Sequence, residues 1–131
     1  MQRISLSFTA YIVPKKNAFR AGVKKDGTPY QYRATNAKAS QKALHGEAKK
    51  QVERSPFKLT KKPVEIRAIF MHTEGDCVGL LETVLDALEG VVYAKDKQVG
   101  SCVFRWDYDG QLARGETCRL LCTELDGLSS K

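Results

Sequence analysis

Residues 62–90 read KPVEIRAIFMHTEGDCVGLLETVLDALEG, and this stretch decides the fold because a strand pattern leads directly into a helix pattern. Apolar and polar residues alternate over 62–72, which is typical of a strand with one buried face. Leucine and valine then recur at helical spacing over 78–90, and Gly90 stands where a helix stop is expected. The stretch therefore predicts a strand and a helix joined by the short loop TEGDC.

The rest of the chain continues the same two patterns. Alternation predicts a strand at 4–13. Residues 101–110 predict a strand followed by a turn, and residues 115–125 predict a final strand. Residues 37–52 predict a second helix, which Thr35 or Asn36 can cap. We expect one α+β domain over residues 1–131, with two main helices packed on a mixed β-sheet and a frayed tail at 126–131.

The composition bounds the class of protein. A length of 131 residues with 42% hydrophobic residues suits one domain with one core. No apolar stretch approaches the roughly 20 residues that a membrane span needs, and the N-terminus alternates like a strand instead of carrying a secretory signal. The four cysteines form no CxxC pair and suit reduced thiols. We therefore expect a cytoplasmic protein with no membrane partner.

Charge is divided unevenly along the chain. Residues 1–67 hold 16 Lys and Arg against 4 Asp and Glu, a net charge of +12. Residues 68–131 hold 6 Lys and Arg against 11 Asp and Glu, a net charge of −5, and the whole chain carries +7. A basic half attracts polyanions, and such asymmetry is a recognised indication of nucleic-acid contact.

Much of the positive charge falls in a segment at 14–33, which glycines and prolines mark as a loop or an irregular hairpin. Aromatic residues are interleaved with its basic ones, which suits a nucleic-acid backbone with rings available for unstacked bases. A merely solvated basic loop is the competing interpretation. The candidate DNA-binding residues in this basic loop are Lys15, Lys16, Arg20, Lys24, Lys25 and Arg33.

The acidic residues gather at the start of the second helix. Glu74 and Asp76 precede it, and Glu82 and Asp86 lie within it. One interpretation is a divalent-metal site, since Mg²⁺ takes carboxylate, phosphate and water oxygens. The other is structural, because acids near a helix N-terminus stabilise it by roughly 0.3–1 kcal/mol through the helix dipole. The residues alone leave both interpretations open.

Residues 75–99 read GDCVGLLETVLDALEGVVYAKDKQV, and they resemble the RusA family of Holliday-junction resolvases. That family typically shows Asp-x-Asp-Asn-Leu, a Lys, a Leu/Phe-Asp-Ala-Leu helix, an aromatic residue and Asp-x-Gln-Val/Ile. Here Asp76 matches the first motif aspartate and Asp96 matches the third. Residues 85–88 match the helix signature, and Gln98 and Val99 follow Asp96 as in the family.

The resemblance implies a homodimer that binds four-way DNA junctions and nicks them with Mg²⁺ or Mn²⁺ in recombination and repair, without a small-molecule cofactor. The metal would be held by Asp76 and Asp96, with Glu82 and Glu74 as further candidates. Asp76, Asp96 and Glu82 would then form the catalytic set. A four-way junction has near two-fold symmetry, which suits a two-fold symmetric dimer.

Two positions depart from the family pattern. Val78 stands where the family has its second aspartate, and Glu82 stands where it has a lysine. Valine cannot ligate a metal, but Glu82 lies four residues further along the same helix face and could replace the missing carboxylate. The alternative is a catalytically impaired RusA-like dimer that binds branched DNA without cutting it.

Overall fold

The computed structural model describes residues 1–14, 19–23, 29–33, 35–73 and 76–125. Within these described residues there are six strands, two α-helices and a short 3-10 helix at Asp96–Gln98. In chain order the elements are β1 (Arg3–Phe8), β2 (Phe19–Val23), β3 (Pro29–Arg33), α1 (Thr35–Glu53), β4 (Val64–Phe70), α2 (Cys77–Leu88), β5 (Val99–Trp106) and β6 (Cys118–Glu124). The prediction of an α+β fold with a mixed sheet and two main helices is confirmed.

Four of the strands form one sheet in the order β1-β6-β4-β5. The central strand β4 pairs antiparallel with β6 and parallel with β5, so the sheet is mixed. The parallel pair needs a crossover connection, and α2 provides it. The β4–α2–β5 unit therefore sets the positions of all the motif residues between Asp76 and Val99.

The two α-helices cover one face of this sheet. Aligned residues such as Ile4, Cys122 and Ile66 are buried on that face, and they belong to one hydrophobic core. From α2 this core receives Leu80, Val84 and Leu88, which recur at helical spacing as the sequence predicts. The other face of the sheet is the more exposed one, and no element covers it within the described part of the chain.

The first strand is shorter than the alternating pattern of 4–13 predicts, because β1 ends at Phe8. Beyond it, side chains of α1 take over the backbone hydrogen bonds that a sheet partner would otherwise make. The Ser40 hydroxyl donates to the carbonyl of Tyr11 at 2.6 Å and accepts from the amide of Val13 at 3.1 Å. The segment after β1 is thus held against a helix instead of a strand, which local alternation does not reveal.

The segment predicted as a loop or irregular hairpin contains an antiparallel hairpin of β2 and β3. Four of its candidate DNA-binding residues, Lys15, Lys16, Lys24 and Lys25, lie outside the described residues. The predicted frayed tail at 126–131 also lies outside them.

All four cysteines are free thiols. Cys118 and Cys122 are buried on one face of β6, as their even spacing predicts. Burial raises the pKa of the Cys122 thiol to about 12 and raises the pKa of Cys118 as well. Both therefore act as small core residues. In the described part of the chain, no helix combines the length and the apolar character needed to cross a bilayer.

Candidate functional site

Asp76 begins α2. Its backbone is extended, with φ −87° and ψ 125°, and its carboxylate oxygen Oδ1 accepts a hydrogen bond from the amide of Val78 at 2.9 Å. This is the N-cap geometry, which satisfies one of the helix amides that have no partner within the helix. Asp76 therefore has a structural role as the cap of α2, and this role uses its Oδ1 atom.

The first turns of α2 also carry the two departures from the family pattern. Val78 is 46% exposed, an unusual setting for an apolar side chain on a helix whose other face is buried. Glu82 is exposed too, and the spacing of four residues places it on the same face as Val78. A carboxylate is thus available one turn beyond the position where the family motif has its second aspartate.

At its other end, α2 stops through a tight reversal. Gly90 has a φ of 79°, which glycine adopts without the steric cost that a Cβ would bring, and its amide donates to the carbonyl of Tyr93 at 2.8 Å. The buried Tyr93 also binds α2, because its hydroxyl donates to the carbonyl of Leu85 at 2.6 Å. This reversal brings the Asp96 turn back against the end of the helix.

Gln98 holds the Asp96 turn together. Its side-chain oxygen accepts from the amides of Ala94 at 2.9 Å and Lys95 at 2.8 Å. Its side-chain nitrogen donates to the carbonyls of Thr60 and Lys62, both at 3.0 Å. One side chain therefore links the turn to the segment that precedes β4. Gln98 therefore has a structural role two residues after Asp96, because it fixes the turn on which Asp96 lies.

Asp96 is exposed and opens the 3-10 helix. Its backbone amide donates to the carboxylate of Glu89, the residue that follows α2, at 2.8 Å. Asp96 therefore lies beside the C-terminal end of α2, whereas Asp76 lies at its N-terminal end. A helix of 12 residues is about 18 Å long, so the helix keeps these two aspartates well apart within one chain.

A shared metal requires ligands within a few ångströms of one ion. Among the described residues, no three His, Cys, Asp or Glu side chains are grouped closely enough to hold one. Glu74, which was a candidate ligand, lies outside the described residues. In a single chain Asp76 lies at the start of α2, Glu82 lies near its middle and Asp96 lies beside its end. The described residues of one chain therefore do not fit a metal bound by all three.

No protein-family model and no curated protein matches this chain.

Two candidate DNA-binding residues fall on described backbone. Arg20 belongs to β2, opposite Tyr32, and Arg33 belongs to β3, opposite Phe19. Basic and aromatic residues thus occupy facing register positions in the hairpin, as their interleaving in the sequence suggests. Both positions lie near the middle of the basic half of the chain.

An aromatic group that the sequence did not single out as a unit lies at the sheet end from which α2 starts. The ring of His72, just after β4, lies 5.0 Å from the ring of Trp106 at the end of β5. The same histidine ring lies 6.0 Å from the ring of Tyr108, which is 77% exposed. The parallel pairing of β4 and β5 brings these residues together, and residues more than 30 positions apart give no local signal of it.

A polar cleft between the two helices was also not predicted. It is lined by Gln41, Lys42 and His45 of α1 and by Asp86 and Ala87 of α2. The imidazole Nδ1 of His45 lies 2.9 Å from the carbonyl oxygen of Ala87 and must be the donor, because a carbonyl only accepts. Asp86 thus faces a helix–helix junction.

Proposed function

We propose that this chain is a RusA-like protein that binds four-way DNA junctions as a homodimer and nicks them with a divalent metal ion, Mg²⁺ or Mn²⁺. The observation that carries the proposal is the turn at Asp96. Gln98 uses its whole side-chain amide on backbone groups of this turn and of its neighbours, and the carboxylate of Asp96 is left facing solvent. An Asp-x-Gln sequence with this geometry suits the presentation of an acid to a ligand.

The metal ligands of such an enzyme would come from two chains. Because α2, which is about 18 Å long, separates Asp76 from Asp96, one ion cannot contact both within one chain. Asp76 and Glu82, with Glu74, would supply one side of a site and Asp96 of a second chain the other. When bound, the metal would activate water and offset the charge that develops on the phosphate.

DNA would be held by charge and by stacking. The basic half of the chain, with its net charge of +12, attracts phosphates. Its candidate DNA-binding residues are those of the basic loop, Lys15, Lys16, Arg20, Lys24, Lys25 and Arg33. The rings of His72, Trp106 and Tyr108 lie at the same sheet end as Asp76 and offer surfaces on which unpaired bases near a branch point can stack.

A second candidate function has its own support. In this alternative, the dimer binds branched DNA without cutting it. Val78 is exposed at the motif position where a carboxylate would face the metal, and it contributes no ligand. Glu82 replaces a positive charge by a negative one at the next turn of the same helix face.

One assay separates the candidates. The protein is incubated with a synthetic four-way junction and with matched linear duplex, in Mg²⁺ and then in Mn²⁺. Symmetric nicks that disappear in Asp76→Asn support the nuclease. Junction binding without nicks in either metal supports the binding protein. Equal affinity for the junction and the linear duplex argues against both.

A further inference from the structure

The two edge strands of the four-stranded sheet, β1 and β5, differ in how far other parts of the chain bind their outer backbone groups. At the C-terminal end of β1, side chains of α1 occupy free backbone groups. The side-chain amide of Gln51 accepts from the Ser7 N–H at 2.8 Å and donates to the Ser7 carbonyl at 2.7 Å. Just beyond β1, the carboxylate of Glu47 accepts from the backbone amides of Thr9 and Ala10. This end of the edge is therefore closed against another strand, and covering an edge is one way in which native proteins protect it from pairing.

The edge of β5 has no such cover in the described part of the chain. The side-chain hydrogen bond to its backbone comes from its own Arg105, which donates to the carbonyl of Trp106 at 3.1 Å. None of the 8 residues of β5 is fully buried, although β4 and β6 bury every second residue. Val103, near its centre, is 53% exposed. An edge strand of this length with an exposed apolar centre is a template for a further strand.

We propose that β5 pairs antiparallel with β5 of a second copy of this chain, around a two-fold axis at Val103. The proposal rests on the homodimer of the proposed function and names its interface. A two-fold axis perpendicular to the sheet makes directly opposite residues share a face. In such a dimer, even-numbered positions must lie opposite even-numbered positions, and odd-numbered positions opposite odd-numbered ones. The register that places Val103 opposite its own copy meets this condition and pairs the residues from Gly100 to Trp106.

This register is self-complementary, which favours a second copy over an unrelated strand. On the more exposed face, the two Val103 side chains cover each other, and Ser101 lies opposite Arg105 of the partner subunit. On the helix-covered face, Cys102 lies opposite Phe104 of the partner subunit. Gly100 lies opposite Trp106 of the partner subunit and adds no side chain of its own against the indole, although Leu125 of its own chain lies beside it. No like charges face each other, and the two four-stranded sheets join into one.

The test is the mass of the protein in solution with a matched pair of variants. Val103→Arg places two positive charges opposite each other at the axis, while Ser5→Arg adds the same charge to an exposed position on β1. Light scattering at a fixed micromolar concentration should give the mass of two chains for the wild type and for Ser5→Arg, and the mass of one chain for Val103→Arg. Thermal unfolding by circular dichroism checks that each variant is folded.

A cross-linking pair keeps the test valid if Val103→Arg does not fold. A short bis-maleimide should join two chains of Val103→Cys efficiently and should join Ser5→Cys no better than the wild type. A wild type with the mass of one chain, or a Val103→Arg variant with the mass of two, overturns the β5 interface. Junction binding by the wild type is measured in parallel, so that a failed interface is distinguished from a failed proposal of junction recognition.

Discussion

The backbone amide of Asp96 lies 2.8 Å from Oε1 of Glu89, and this hydrogen bond fixes the Asp96 turn to the C-terminal end of α2. Asp76 caps the opposite end of the same helix. The two aspartates that match the family motif are therefore held apart by a rigid element, and neither can move to the other without unfolding it. Metal binding that used both would depend on the association of two chains.

Asp76 can be tested for its two roles separately. Asp76→Asn keeps a side-chain oxygen that can accept from the Val78 amide, so we expect the free energy of unfolding to stay close to that of the wild type. Asp76→Ala removes the cap and should lower it by about 0.5–2 kcal/mol. Urea unfolding measures both. Exposed Glu82→Gln serves as the control, and it should leave stability unchanged.

The same variants test the proposed nuclease activity. If Asp76 also binds metal, Asp76→Asn should abolish metal-dependent nicking while its stability stays high. Nicking that survives in Asp76→Asn would show that the residue is a helix cap only.

Gln98 should be among the most sensitive residues of the motif. Gln98→Leu removes four hydrogen bonds and leaves the carbonyls of Thr60 and Lys62 without their side-chain donor. We expect a loss of about 1–3 kcal/mol in the free energy of unfolding, measured in urea. The adjacent exposed Lys97→Leu is the matched control and should change it little. A loss no larger than that of the control would contradict the role of Gln98 as the anchor of the turn.

Stability at low pH should depend on Glu116. This buried carboxylate accepts from the Arg119 guanidinium, from the Ser7 hydroxyl and from the Ala113 amide, and these bonds lower its pKa from 4.5 to about 2. Because the pKa is lower in the folded state, the carboxylate stabilises the fold above about pH 4.5, and this contribution is lost as the pH falls towards about 2.

Chemical denaturation of the wild type and of Glu116→Gln tests this dependence. The difference in unfolding free energy between them should be largest near about pH 6 and should shrink as the pH falls through the window from about 4.5 to about 2. A difference that does not change with pH would mean that Glu116 titrates alike in the folded and unfolded states.

If the basic loop binds DNA phosphates, it should contribute to the salt dependence of junction binding. Changing Lys15 and Lys16 together to alanine should lower the slope of log affinity against log salt for junction DNA, by about one unit for each phosphate that the variant no longer neutralises. Changing Lys49 and Lys50 of α1 together to alanine removes the same charge from another exposed site. If the two double variants give equal slopes, the loop has no special place in the interface.

The elements themselves were largely predictable. Both helices and the strands of the main sheet follow from periodicity, because a period near 3.6 or 2 is set by local geometry. The predicted strand over 4–13 was too long, since Ser40 and Glu47 of α1 bind the backbone beyond Phe8. The order of the strands in the sheet carries no such local signal.

The candidate site, like the fold, was predictable from the sequence only in part. By itself, the sequence determined that acids stand before and within α2, that Asp96 is followed by Gln98, and that the first half of the chain is basic, because these are facts of residue type and spacing. Only the tertiary structure decided that Asp76 and Asp96 lie at opposite ends of one helix. It also decided that Gln51 binds the backbone of Ser7 at one sheet edge, while the described residues leave the β5 edge uncovered. Distances across a fold depend on which elements pack together, and that is settled by the burial of the whole core and not by any one segment.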